Sequence, residues 1–298
     1  MPGKALSPSM MSEIVGSTKM KLFIALLLIV SGVVGFRNLS HRRAAVEVAT
    51  NHVTVAGVNR EAVPVVVELF TSEGCSSCPP ADEVLSKLDK MQPIQGVEVI
   101  ALGEHVDYWN KLGWIDPYSS AEFSSRQSSY ADAFRRESVY TPQMIVDGRD
   151  EFAGGNANKA HDAIIRAARS PKAKVELLAA SSSQGTNDNE LKLSIHISDI
   201  PQVTAGDVAD VLLAITENNL RSEVSRGENG GRYLRHSAVV RSLSVLGNIS
   251  ASQQSFEAQP AVKLAGGWQR DNLRAVVFAQ ERGTRRVLGA AMLGLSRN

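Results

Sequence analysis

Val65-Val66-Val67-Glu68-Leu69-Phe70, then Thr71-Ser72-Glu73-Gly74, then Cys75-Ser76-Ser77-Cys78-Pro79-Pro80-Ala81-Asp82 form one continuous stretch, and its reading decides the fold. The β-branched apolar run reads as a buried strand. Gly74 breaks it, and the apolar spacing from Val84 through Leu88 predicts a helix over Pro79–Met91. The chain's only two cysteines therefore sit in a strand-to-helix turn.

At a helix N-terminus, unpaired N–H groups and the helix dipole favour a thiolate, which lowers a cysteine pKa and makes the sulfur a nucleophile or a ligand. Two cysteines so placed form the thioredoxin-type arrangement, a reversible disulfide whose exchange needs an exposed sulfur. So short a loop removes little chain entropy, which makes pure stabilisation a weak role. Redox activity is the first reading; a metal site and a structural or vestigial bond are the alternatives. Two features oppose an efficient dithiol. Glu73, Asp82 and Glu83 bring negative charge that raises a thiol pKa. Pro79-Pro80 fit only a first helical turn and push the helix start past Cys78.

The rest of the composition narrows the class. The 298 residues carry a net charge of +1, so no basic nucleic-acid footprint is present. Apolar content, 43%, is that of a globular protein and too low for a polytopic membrane protein. Two cysteines provide no disulfide framework, so the core alone holds the fold. Lys19 and Lys21 precede an apolar run from Leu22 to Phe36. Its length, about fifteen residues, suits the apolar region of an export signal, with an uncleaved membrane anchor as the alternative. Met20 is read as an alternative start. Residues 1–36 are thus expected to be a signal peptide or anchor, giving possible membrane attachment through 22–36 and an exported, periplasmic or secreted location. Residues 37–63 read as a linker.

Outward from the cysteines, Val97–Leu102 reads as a second strand, so strand–helix–strand implies parallel pairing. Asp107–Arg136 is polar, aromatic-spotted and partly helical, an insertion over one end of the sheet. Val139–Arg149 predicts a turn, a strand and a tight Asp147-Gly148 hairpin. Asn158–Ser170 has helical periodicity, ended by Pro171. Beyond Lys172 the pattern changes. Leu191–Ile197 alternates strictly, and Val208–Glu217, Ala238–Leu246 and Arg274–Gln280 also read as strands. The expected architecture is an α/β thioredoxin-like domain over 64–170 with a helical and aromatic insertion, followed by a β-rich, sandwich-like domain over 173–298.

Further candidates come from position. Thr141-Pro142, before a strand, suits the cis-proline that faces the cysteine pair in thioredoxin-like folds, with Tyr140 beside it. Glu68 reads as a buried carboxylate that moves protons to the resolving thiol; its spacing is one residue longer than thioredoxins use, and a one-residue slip changes the strand face. His105-Val106-Asp107-Tyr108-Trp109 follows the second strand, where open α/β sheets place ligands. His105 is therefore a base or third metal ligand, and Trp109 a substrate contact, or both belong to a packed aromatic lid. Arg226–Arg232 is a Gly-rich turn without the strand-to-helix setting of a phosphate loop, and reads as a hairpin.

Val67–Asp82 resembles the signature of the uncharacterised DUF1223 family, exported thioredoxin-like proteins. His105–Trp109, Gly113-Trp114, Tyr140–Met144, Arg226–Asn229, Leu234–His236 and Val239–Leu243 are similar to it in order, from Pro64 to the C-terminus. Gly103-Glu104 departs from it in place of an apolar pair, and Asn110 in place of an Asp. The resulting expectation is a thiol–disulfide oxidoreductase acting on exported protein thiols or disulfides without a cofactor. Cys75 attacks, Cys78 resolves and Pro142 is the substrate-side platform. The alternatives are a copper-handling module using Cys75, Cys78 and His105, or a non-catalytic thioredoxin-fold binding protein.

Overall fold

Strand β1 (Val63–Thr71) is apolar at most positions because both of its faces are covered. The computed structural model describes residues 62–179 and 190–296. The expected signal or anchor and nearly all of the 37–63 linker lie outside the described residues. After β1 come α1 (Pro79–Met91), β2 (Val97–His105), α2 (Ala121–Ala133), β3 (Gln143–Val146), β4 (Asp150–Ala153) and α3 (Ala157–Ala168). Then follow β5 (Lys174–Ala179), β6 (Glu190–Ser198), β7 (Ala209–Glu217), β8 (Leu220–Glu223), β9 (Tyr233–His236) and β10 (Val239–Ile249). Last are β11 (Phe256–Ala258), β12 (Ala261–Lys263), β13 (Leu273–Glu281) and β14 (Val287–Gly294). No described helix is long and apolar enough to cross a membrane.

The strand–helix–strand unit is present, with β1 and β2 parallel and Val67 opposite Ala101. β3 lies antiparallel on the other side of β1, Leu69 opposite Met144. It turns into β4 through Asp147 and Gly148, whose φ values of 49° and 68° make the type I′ turn that matches strand twist.

Eight strands form one sheet in the order β14-β13-β7-β10-β2-β1-β3-β4. A small antiparallel sheet of β11, β6 and β12, with β5 on β6, completes a mixed α/β fold. This differs from the expected pair of domains side by side. The β-rich half does form a two-layer sandwich, Leu193, Ile195 and Ile197 of β6 packing on Val211, Leu213 and Val277. One layer of that sandwich, however, is the continuation of the β1–β2 sheet. The joint is narrow: β10 runs parallel to β2 at Val239 and Gly103, and Gly103 N–H donates to Ala238 C=O at 2.7 Å. A Cβ on Gly103 would stand 3.2 Å from Ser237 O, so glycine permits the approach.

Alternation along the strands separates two faces. The outer face carries Val65, Val67 and Leu69 under α1 and α3, then the small sheet farther along. The inner face gathers Val66, Ile100, Leu102, Val276 and Phe278 with Phe123 of α2. The sheet curls around this inner core until Val287 N–H of β14 donates to Asp147 C=O at 3.0 Å, beside β1.

Candidate active site

The polypeptide leaves β1 at Thr71 and closes two successive turns before α1. Cys75 N–H donates to Ser72 C=O at 3.2 Å, and Cys78 N–H to Cys75 C=O at 3.1 Å. Cys78 is the N-cap of α1 and already holds helical dihedrals (φ −77°, ψ −39°), with prolines filling the next two positions. Cys75 lies outside the helix. The two cysteines form a disulfide, their Cα atoms 5.4 Å apart. Both are fully buried while Ser76 and Ser77 are exposed. The expectation of an exposed sulfur is therefore corrected.

The cover comes from far along the chain. Between β8 and β9, the turn at Gly227–Arg232 places Asn229 wholly inside. Asn229 Nδ2 donates to Glu73 C=O at 2.8 Å and to Cys75 C=O at 2.9 Å. Arg232 holds the amide's other end, donating to Asn229 Oδ1 at 2.9 Å. Glu228 Oε2 accepts Ser76 N–H at 2.9 Å, between the cysteines. On the other side Trp109 packs close to Gly74.

A second layer lies beneath the turn. Glu73, fully buried, accepts from Trp114 Nε1 at 2.8 Å and pairs with His236 Nε2 at 2.9 Å. Its backbone N–H donates to Asp116 Oδ2, which also holds His105 Nδ1 at 2.7 Å. The two imidazoles meet edge to face, centroids 4.8 Å apart. Burial pulls the His105 pKa down, but the carboxylates of Asp116, Asp82 and Glu73 outweigh it and hold the pKa above the ordinary histidine value. Asp116 shows the reverse balance: burial raises it, and His105 with the Glu73 and Tyr118 N–H groups brings it below the usual value. Burial raises the pKa of Asp82, against the opposing pull of His236, His105 and the Thr71 hydroxyl, which donates to it at 2.8 Å.

Comparison with known proteins places this geometry. The model of the DUF1223 family, proteins of unknown function, matches residues 66–280. The chain belongs to DUF1223. The crystal structure of protein AGR_C_4864 from Agrobacterium tumefaciens is similar over 80% of this chain and 97% of that one, at 29% identity and a TM-score of 0.57. HBP35 of Porphyromonas gingivalis shares the fold over 78% of this chain and 76% of its own, at 17% identity and a TM-score of 0.56. No curated protein matches.

Of the expected site residues in this DUF1223 chain, one group assembles at the turn. The Thr141–Pro142 bond is cis. Trp109 Nε1 donates to Thr141 Oγ1 at 2.8 Å, so Trp109 bridges Gly74 and the proline loop. Gly154 fits between Leu69, Ala81 and Pro142; a Cβ there would stand 2.7, 3.0 and 3.5 Å from them, which puts Pro142 beside the first turn of α1. Tyr140 is partly exposed, and its hydroxyl donates to Glu151 at 2.5 Å. His105 is present but enclosed, its Nδ1 committed to Asp116, so it meets no incoming substrate directly.

Glu68 is not part of the group. It projects to the inner face, opposite α1, where Arg126 Nε donates to it at 2.7 Å and the Tyr130 hydroxyl donates to its other oxygen. The extra residue of spacing has turned it to the other side of the sheet. Glu104 joins it there: Arg126 Nε approaches at 3.3 Å, but neither Glu104 oxygen makes a well-formed hydrogen bond.

In this disulfide form the three donors of the copper alternative are not grouped: both sulfurs are in the S–S bond, and His105 Nδ1 is held by Asp116. Sequence reasoning gave no role to Asn229, His236 or Asp116. The first two lie in stretches on which the resemblance rests, Arg226–Asn229 and Leu234–His236, which was the one available signal. Nothing in local spacing connects them to the cysteines.

Proposed function

We propose that the Cys75–Cys78 pair is a reversible thiol–disulfide exchange site, acting on protein thiols or disulfides in an exported compartment. The carrying observation is placement: a disulfide at the head of α1, bridged by Trp109 to the Thr141-Pro142 loop. The order β2-β1-β3-β4, with α1 and α3 on one face, supports a thioredoxin-like module over 64–170. The apolar run at 22–36 supports export.

In the reducing direction on a substrate, the Cys75 thiolate attacks a substrate disulfide sulfur. The substrate S–S bond breaks, a mixed disulfide forms, and one substrate thiolate leaves. Cys78 then attacks Cys75 Sγ, releasing the second substrate thiolate and closing the Cys75–Cys78 bond. Two electrons pass to the substrate. Pro142, Thr141 and Tyr140 form the platform on which the substrate chain lies. Because the sulfurs are covered, the Glu228–Asn229 turn must lift before exchange.

Thiol trapping of Cys75 and Cys78 across defined redox buffers tests the reading. The expected result is a reversible two-electron transition at roughly −120 to −270 mV. A pair that stays oxidised below about −300 mV is a structural bond and ends the proposal.

A further inference from the structure

Next to the redox turn, α1 and the β8–β9 hairpin enclose a groove of about 340 Å³. Pro79, Asp82 and Ser86 line one wall. Cys78 shares the helical dihedrals of α1, so Asp82, four positions on, stands one turn from it on the same side of the helix. The groove wall at Pro79 and Asp82 thus lies within one helical turn of Cys78, whose sulfur is itself buried.

The hairpin wall carries an unusual charge arrangement. Arg221 and Arg235 are directly opposite in the β8–β9 register, so both side chains leave the same face. Both are exposed, and neither has an ion-pair partner among the described residues. Like charges directly opposite destabilise a strand pair. Lys90, also exposed, adds a third positive charge at the rim. Two acids line the groove: Glu83 is paired with Lys87 at 2.8 Å, and Asp82 accepts from the Thr71 hydroxyl at 2.8 Å. At the floor, His236 is tied through Nε2 to Glu73, and its buried Nδ1 has no hydrogen-bond partner. A volume at the low end of ligand pockets selects a small molecule over a protein surface. The facing guanidinium pair selects carboxylates, which arginine grips through paired N–H donors.

We propose that this groove binds a small carboxylate-bearing thiol, or its disulfide, as the exchange partner of the Cys75–Cys78 pair. Arg221 and Arg235 take the carboxylates, and the sulfur is delivered along α1. The inference rests on the redox reading of that pair. In the reaction, one small thiolate attacks a sulfur of the pair; the S–S bond breaks, a protein–small-molecule disulfide forms, and the other cysteine leaves as a thiolate. A second small thiolate attacks the mixed disulfide, releasing the oxidised small molecule. Two thiols are oxidised, the pair gains two electrons, and the thiol protons end on Cys75 and Cys78.

The test compares reduction of the full chain by glutathione, which carries carboxylates, and by uncharged 2-mercaptoethanol, in the wild type and in Arg221→Gln/Arg235→Gln. The expected result is saturation with glutathione in the wild type, with the double variant slower by about tenfold and its reaction with 2-mercaptoethanol unchanged. Linear kinetics with glutathione and no effect of the double variant would overturn the groove proposal, while reduction by 2-mercaptoethanol would leave the redox reading standing. If neither thiol reduces the pair, the redox reading fails and the groove proposal with it.

Discussion

Glu68 and Glu73 stand a few residues apart on one strand and its turn, and both are fully buried, yet they belong to separate clusters. Glu68 faces the inner core with Arg126, Tyr130 and Glu104, and Arg126 reaches across to Gln280 of β13 at 2.9 Å. That cluster ties β1, β2, α2 and β13 together, so its work is cohesion between the halves. Glu73 faces His236, Trp114 and the neighbouring His105–Asp116 pair under the disulfide. That cluster shapes one turn and contains imidazoles, the groups that titrate near neutrality. One carboxylate is held by a guanidinium, the other by an imidazole.

The comparison breaks most visibly at Arg126. Arg126→Met leaves Glu68 and Glu104 buried without their cation, an expected loss of about 3–5 kcal/mol. Denaturant unfolding measures it, and the redox midpoint of whatever folds should stay in place. Next in size is the cover of the turn. Asn229→Ala removes donors to the Glu73 and Cys75 carbonyls, and reduction of the disulfide by dithiothreitol should accelerate roughly tenfold, as expected from about 1–3 kcal/mol of buried hydrogen bonding. A rate equal to wild type would mean that the turn does not limit access.

Titration sharpens the contrast more finely. Burial, then the charge of Glu68, holds the Glu104 pKa well above the usual carboxyl value, with Arg126 opposing. The folded state therefore keeps a proton that the unfolded chain releases. Stability should fall as pH rises from the ordinary Glu value of about 4.3 toward the raised one. Glu104→Gln should remove that decline in pH-dependent unfolding. His105 contributes in the neutral range. Its folded pKa is raised, so its contribution is complete below about pH 6.5 and is lost as pH rises through the folded value. His105→Gln should flatten that segment alone. The smallest effect is expected at Glu68→Gln: no change in redox midpoint, because its side chain faces away from α1. A shifted midpoint would reconnect the two clusters.

Much of the α/β half was legible in the residues. Helix α1 occupies the expected Pro79–Met91, because Pro79-Pro80 mark a first turn and the apolar spacing sets the rest. The alternation of Leu191–Ile197 identified β6, one face of which is buried. β14 escaped because most of its residues are buried on both faces, which erases the period. The sharing of one sheet was invisible for another reason. Alternation reports which face a side chain takes, but the β2–β10 joint rests on one register pair at Gly103. The candidate site divided similarly: the strand–turn–helix plan places Cys75, Cys78, Trp109, Thr141 and Pro142 near one another, whereas Asn229 and His236 reach the turn only through tertiary folding.

That distance orders events during synthesis. Asn229 follows Cys75 by 154 residues. At typical translation speeds of about 5–20 residues per second, the cysteines exist for roughly 8–30 s before the residue that seals them. An oxidant that acts within that interval meets an open, unsealed turn, and the seal is a finishing step. The newborn chain and the mature protein thus present the same two sulfurs with different accessibility, and an oxidant that reaches the first need not reach the second.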